Sequence, residues 1–150
     1  MNYQGAVAER HDLQNGPDDG LILAIISSAR HIQDRLESIL ESVSLTPAKF
    51  QALDALVRAG EPMALSELAG SLKCVRSNIT QLADRLEMDG LVNRVDDASD
   101  RRAIRAVVTP LGIERHAAGT EAIAELQSEL AALVSSADRL RMVEVLSVLK

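Results

Sequence analysis

The apolar positions of this chain keep two rhythms, and the change from one to the other marks its organisation. Over residues 21–43, Ile25, Ala29, Ile32, Leu36, Ile39 and Val43 recur at spacings of three and four, with Arg30, Gln33, Asp34, Glu37 and Glu41 between them. Such a stripe covers one side of an α-helix, and Asp18 or Asp19 is placed to cap its start. Thr46-Pro47 reads as an N-cap followed by proline in the first turn, where a missing N–H has no helical partner to lose. Phe50, Leu53, Leu56 and Val57 then supply an inward stripe that stops at Gly60, which predicts a second helix over 47–59.

Met63-Ala64-Leu65 predicts a short extended piece that leads into "SELAGSL", a short third helix with Leu65, Leu68, Ala69 and Leu72 on one face. Lys73-Cys74-Val75 separates it from "RSNITQLADRLEMDG", in which Ile79, Leu82, Ala83 and Leu86 face inward and Gly90 ends the helix. Val75 stands where a polar N-cap is expected, which favours a start at Ser77. The rhythm then shortens to two: "VNRV" at 92–95 and "AIRAVV" at 103–108 read as strands around a polar, turn-forming centre at 96–100. Thr109-Pro110 repeats the cap signal for a helix carrying Ile113, Ile123, Leu126, Leu130 and Leu133, with Gly112 and Gly119 weakening its first turns. Ser135 and Asp138 have capping-box spacing ahead of a last helix with Leu140, Val143, Leu146 and Leu149.

Two helices joined by a tight turn and followed by a hairpin form a winged helix-turn-helix. The expected fold is therefore mainly α with a small β-hairpin wing. Residues 1–17 are assigned to a flexible N-terminal tail, 18–45 to a dimerisation helix, 46–109 to the winged helix-turn-helix and 110–150 to C-terminal dimerisation helices. The first and terminal helices carry more apolar surface than a small winged domain covers, which predicts a homodimer.

Composition narrows the function. A chain of 150 residues suits one domain, and with aromatics at 1% (Tyr3 and Phe50) its core must be aliphatic. Cys74 is the single cysteine, which excludes an intramolecular disulfide and a Cys-rich metal site, and points to a reducing cytoplasm. The first residues lack the basic start and apolar run of a signal peptide, and no stretch has the length of a membrane span, so a soluble cytoplasmic protein is expected. His11, His31 and His116 show no ligand spacing, and phosphate-loop, zincin and nucleophile-elbow motifs are missing; no enzyme activity, cofactor or metal is expected. The net charge is −6, but residues 73–105 hold seven basic and six acidic side chains (+1), leaving nine against sixteen (−7) elsewhere. That distribution is compatible with one surface that meets DNA.

Taken in order, "SNITQLADRLEMDGLVNRVDDASDRRAIRAVVTPLG" resembles the MarR family of bacterial transcriptional regulators. It matches that family's recognition helix, its "DRLE..GLV.R" exit, the "D.R" wing and the "LTP.G" start of the next helix, with Val108 in place of the usual leucine. The likeness runs over residues 21–149. It implies a homodimer that binds palindromic double-stranded DNA, often released by a small molecule or an oxidant. The expected function is a sequence-specific transcriptional regulator, a repressor released by a small aromatic or anionic effector; the alternative is a winged-helix module that binds protein and not DNA.

Under the resemblance, Arg102 is the wing-tip cation for a narrow minor groove, Arg101 lies beside it, and Asp100 orients the guanidinium. Arg94 and Arg105, on facing strands, clamp phosphates or brace the hairpin. Arg76, Ser77, Asn78, Thr80 and Gln81 have the chemistry to read base edges, against the plain alternative of a polar helix face. Arg85 is assigned to a phosphate and Asp84 to bracing. Cys74 is either a small buried residue or an oxidant-sensing thiol near Lys73 and Arg76. His31, Arg35 and Phe50 are candidate effector-lining residues between the dimerisation helices and the winged domain, with an exposed or interface His31 as the plain alternative.

Overall fold

The computed structural model describes residues 20–73, 76–97 and 104–148, with Arg76 described by its backbone alone. Expectations for the tail 1–17, for capping by Asp18 or Asp19, and for Cys74, Val75, Asp100, Arg101, Arg102 and Leu149 lie outside the described residues. The elements run α1 (Leu21–Ser42), α2 (Pro47–Ala59), β1 (Met63–Ala64), α3 (Leu65–Ser71), α4 (Arg76–Met88), β2 (Val92–Asp96), β3 (Ile104–Val108), α5 (Pro110–Ala132) and α6 (Ser136–Ser147). The chain divides into two units, one ending at Arg35 and the other starting at Leu36.

In the first unit, the opening turns of α1 leave Leu21, Ile22, Leu23, Ile26 and Ile32 exposed. The second unit opens with the closing turns of the same helix. Leu40 is fully buried there, and Leu36, Ile39 and Val43 pack against the core. These last turns belong to the fold of the winged unit.

Helix ends follow from local chemistry. The Thr46 hydroxyl accepts from the Lys49 N–H at 3.3 Å to start α2, and Gly60, at φ 68°, ends it. α4 closes with two bonds: the Gly90 N–H donates to Glu87 O and the Leu91 N–H to Leu86 O, each at 2.9 Å. Gly90 takes φ 70° there, a value that glycine reaches without a Cβ clash. α1 closes with the same pair of bonds, Ser44 to Glu41 and Leu45 to Leu40, each at 2.9 Å, but Ser44 occupies the left-handed position at φ 61°. α4 begins at Arg76, one residue before the Ser77 start expected from the missing polar cap. At the head of α3, Glu67 accepts from the Ala64 N–H at 3.0 Å; alanine has no side chain to return the bond.

The core is aliphatic, as composition requires: Leu40, Leu45, Leu53, Leu56, Leu68, Ile79, Leu86 and Val92 are its largest fully buried side chains. The wing is a three-stranded antiparallel sheet in the order β1-β3-β2, with Met63 opposite Ala106 and Arg94 opposite Ala106 across the other edge of β3. Its polar centre also differs from the expected one. Asp96 is the last residue of β2 and is exposed, whereas Asp97 is buried at 8% exposure.

The glycines read as weak points of α5 are sites of close approach. A Cβ on Gly112 would lie 2.1 Å from the Leu91 carbonyl oxygen, and one on Gly119 would lie 2.8 Å from the Phe50 ring. Thr109 explains the motif around the first of them. Its hydroxyl donates to Gly90 O at 2.6 Å and accepts from the Gly112 N–H at 3.0 Å, while its own N–H donates to Leu91 O at 3.0 Å. One threonine thereby caps α5 and ties it to the exit of α4.

Candidate nucleic-acid interface

α4 turns one side to the core and the other outward. Ile79, Ala83 and Leu86 are buried, whereas Ser77, Asn78, Thr80, Gln81 and Arg85 are exposed. Ser77, Gln81 and Arg85 are four residues apart and so form one outward row, with Asn78 beside it. Amide, hydroxyl and guanidinium groups in such a row present the donors and acceptors that major-groove base edges require. Among the described residues Arg85 has no acidic partner at salt-bridge distance, which leaves its charge available. A cleft of about 290 Å³ runs along this row, walled by Asn78, Gln81 and Arg85 on one side and by Ala48 and Gln51 of α2 on the other. Gln51 was invisible to sequence reasoning, because nothing in the α2 pattern tells which outward residue meets α4.

The strand arginines are placed differently from free phosphate ligands. Arg94 is half-buried, forms an ion pair with Asp84 of α4, and donates from Nη2 to the Thr80 carbonyl at 3.3 Å. Its buried Nε makes no hydrogen bond; Glu87 Oε2 lies 3.5 Å away, close enough for charge attraction only. Arg105 donates from Nε to Asp97 Oδ2 at 2.5 Å and from Nη1 to the Pro62 carbonyl at 2.8 Å. The hydrogen bond to Asp97, and then that carboxylate's charge, push the Arg105 pKa still higher than an arginine's usual value. Of the two readings, phosphate clamp or brace, the geometry of both arginines favours the brace. Lys49 makes a third such pair, joining α2 to Asp89 beyond the end of α4 at 2.5 Å. Asp84, for which bracing was expected, is the acid of the Arg94 pair.

The candidate effector residues fall in different units. On α1, His31 is exposed and Arg35 half-buried. Phe50, on α2, stacks on His116 of α5 with ring centroids 5.3 Å apart and planes 11° from parallel. His116 Nε2 lies 3.1 Å from Asp54 Oδ1, and Asp54 also pairs with Arg58 at 3.0 Å. His116 was weighed only as a metal ligand; its place seven residues before Ile123, which packs against the core, was the available signal for packing. Among the described residues no cluster of His, Cys, Asp or Glu is arranged to hold a metal ion, and no helix is long and apolar enough to cross a membrane.

Comparison with known proteins agrees with this geometry. The chain is 36% identical over 92 residues to the uncharacterized HTH-type transcriptional regulator YsmB of Bacillus subtilis, covering 59% of this chain and 62% of that protein. It is 32% identical over 104 residues to the HTH-type transcriptional repressor MdtR of the same organism, covering 67% and 66%. The chain thus spans just under two thirds of the length of either relative. Among solved structures, the organohalide-sensing regulator RdhR in its 2,4-dichlorophenol-bound form superposes with a TM-score of 0.76 at 20% identity, over 92% of this chain and 86% of that one. A mutant of S. aureus MepR bound to an oligodeoxyribonucleotide gives 0.62 at 22% identity, over 87% and 97%. At such identities these two establish the shared fold. Residues 45–104 match the sequence profile of the MarR family, and together with the curated relatives this shows that the chain belongs to the MarR family.

Proposed function

We propose that this protein is a sequence-specific, duplex-DNA-binding transcriptional regulator that acts as a homodimer on palindromic sites. The observation that carries the reading is the outward row Ser77, Gln81 and Arg85 with Asn78 and Thr80, set on a helix whose other side is core and whose exit leads into a wing. A helix of this kind fits the major groove, and a hairpin beside it reaches the neighbouring minor groove. Asp100 and Arg102 complete the surface by their match to the family's "D.R" motif, with Arg76 and Arg101 beside the matched residues in sequence. Arg94 and Arg105 support it from behind.

Repression with release by a small aromatic or anionic effector is the regulatory mode proposed. MdtR carries the name of a repressor, and RdhR has been solved with 2,4-dichlorophenol bound. Selection of bound duplexes from a random pool, followed by titration of the selected site in increasing salt, tests the DNA reading. A two-fold site and a steep linear fall of log affinity with log salt are expected, because neutralised phosphates release counterions. In the same assay Arg102→Ala should weaken binding by about 1–3 kcal/mol, most on A·T-flanked sites, while Arg139→Ala on α6 leaves it unchanged. Failure to enrich any duplex would favour the protein-binding alternative.

A further inference from the structure

Arg94 belongs to the wing, yet among the described residues the groups its guanidinium meets belong to α4. Its guanidinium meets the Asp84 carboxylate, donates to the Thr80 carbonyl at 3.3 Å and holds Glu87 at 3.5 Å. Thr80, Asp84 and Glu87 follow one another at spacings of four and three, so they form a single stripe along α4. That stripe adjoins the outward row of Ser77, Gln81 and Arg85. A planar, forked cation gripped at several points is fixed in orientation as well as in distance, which a single point charge would not be. With Asp84 open to solvent, the ion pair adds only modestly to folding stability. Its worth here is geometric.

Asp84 sharpens the point. It sits next to Arg85 on a helix that is to approach phosphates, with its side chain 54% exposed. A carboxylate there repels the duplex, and that penalty is understandable if the group does something else. We infer that Arg94 and Asp84 are positioning residues that set the angle between α4 and the wing, so that helix and hairpin enter adjacent grooves together; neither contacts DNA. The inference rests on the DNA-binding reading above.

The two obvious alternatives predict opposite results. If Arg94 touches a phosphate, its loss removes one released counterion and lowers the salt slope by about 0.9. If Asp84 only repels DNA, Asp84→Asn tightens binding. If the pair is a brace, Arg94→Met and Asp84→Asn each weaken binding on the order of tenfold to a duplex that spans both grooves, with the salt slope unchanged. They then bind as wild type does to a duplex trimmed so that the wing has nothing to reach. The charge-exchanged pair Asp84→Arg with Arg94→Asp should recover part of the loss. Arg85→Met is the reference for a phosphate contact, and melting curves report folding; should Arg94→Met fold poorly, Asp84→Asn at its more exposed position carries the same test.

A salt slope that falls for Arg94→Met as it does for Arg85→Met, tighter binding by Asp84→Asn, or an equal loss on the trimmed duplex would each overturn the inference. Wild-type protein that binds no duplex at all would sink the DNA reading, and the inference with it.

Discussion

Gly112 shows what a single side chain decides in this fold. Along the sequence it is a helix-weakening residue in the first turn of α5, and nothing within that helix contradicts the reading. In space the Leu91 carbonyl occupies the position a Cβ would take, at 2.1 Å, and the clash is with backbone that cannot swing aside. Gly112→Ala should therefore lower unfolding stability by about 1–3 kcal/mol, the usual range for overpacking, read from the urea midpoint at constant m-value. Arg94 is similar. Its charge and strand position were plain in the sequence, but its partner stands ten residues back on another element, and only the relative placement of β2 and α4 favours the brace over the phosphate clamp, the two readings the sequence left open. Residue identity was legible; the neighbour that gives it meaning was not.

At the scale of elements the sequence was far more explicit, because a helix or strand is specified by its own periodicity and ends. Thr46-Pro47, Thr109-Pro110 and Ser135 all cap the helices they were expected to cap, and the aliphatic stripes of α2, α3 and α4 lie on buried sides, whereas that of α6 is exposed. What escaped were features that need a second element: the pairing of β1 with β3, and the burial of Asp97 against Arg105. The end of α1 offers a test of local chemistry alone. Ser44 adopts φ 61° where α4 uses glycine in an identical bond pattern. Ser44→Gly relieves the Cβ clash of the left-handed region, partly offset by a freer unfolded chain, and should stabilise the protein by about 0.5–1 kcal/mol, a rise of roughly 1–4 °C in Tm. Gly90→Ala, the reverse change at the matching position of α4, should lower Tm.

For the whole molecule the decisive surface is the apolar one left uncovered. Leu140 and Val143 of α6 are 71% and 67% exposed, α6 contributes no buried residue, and α1 exposes Leu21, Ile22 and Leu23. Soluble chains seldom display such surface, and a second copy covers it in the proposed homodimer. Leu140→Asp with Val143→Asp should shift sedimentation from dimer to monomer at micromolar concentration. It should also weaken binding to a two-fold site, whose halves are expected about 34–36 Å apart, while leaving α2 to α5 folded. Loss of DNA binding without dissociation would place the damage elsewhere.

The pairing of Lys49, Arg94 and Arg105 with acids has a consequence for how such a regulator finds its target. A surface thick with loose cations clings to any duplex and spends its time on the wrong ones. Here the described cations of the winged part that lack an acidic partner are Lys73 at the helix-turn and Arg85 on the reading helix. Under the proposed function, each cation already held by an acid is one fewer for random genomic DNA to grip, which shortens residence there. Excess competitor DNA should slow operator location only modestly. Discrimination is gained through a weakened grip on everything else as much as through a tight grip on the right sequence.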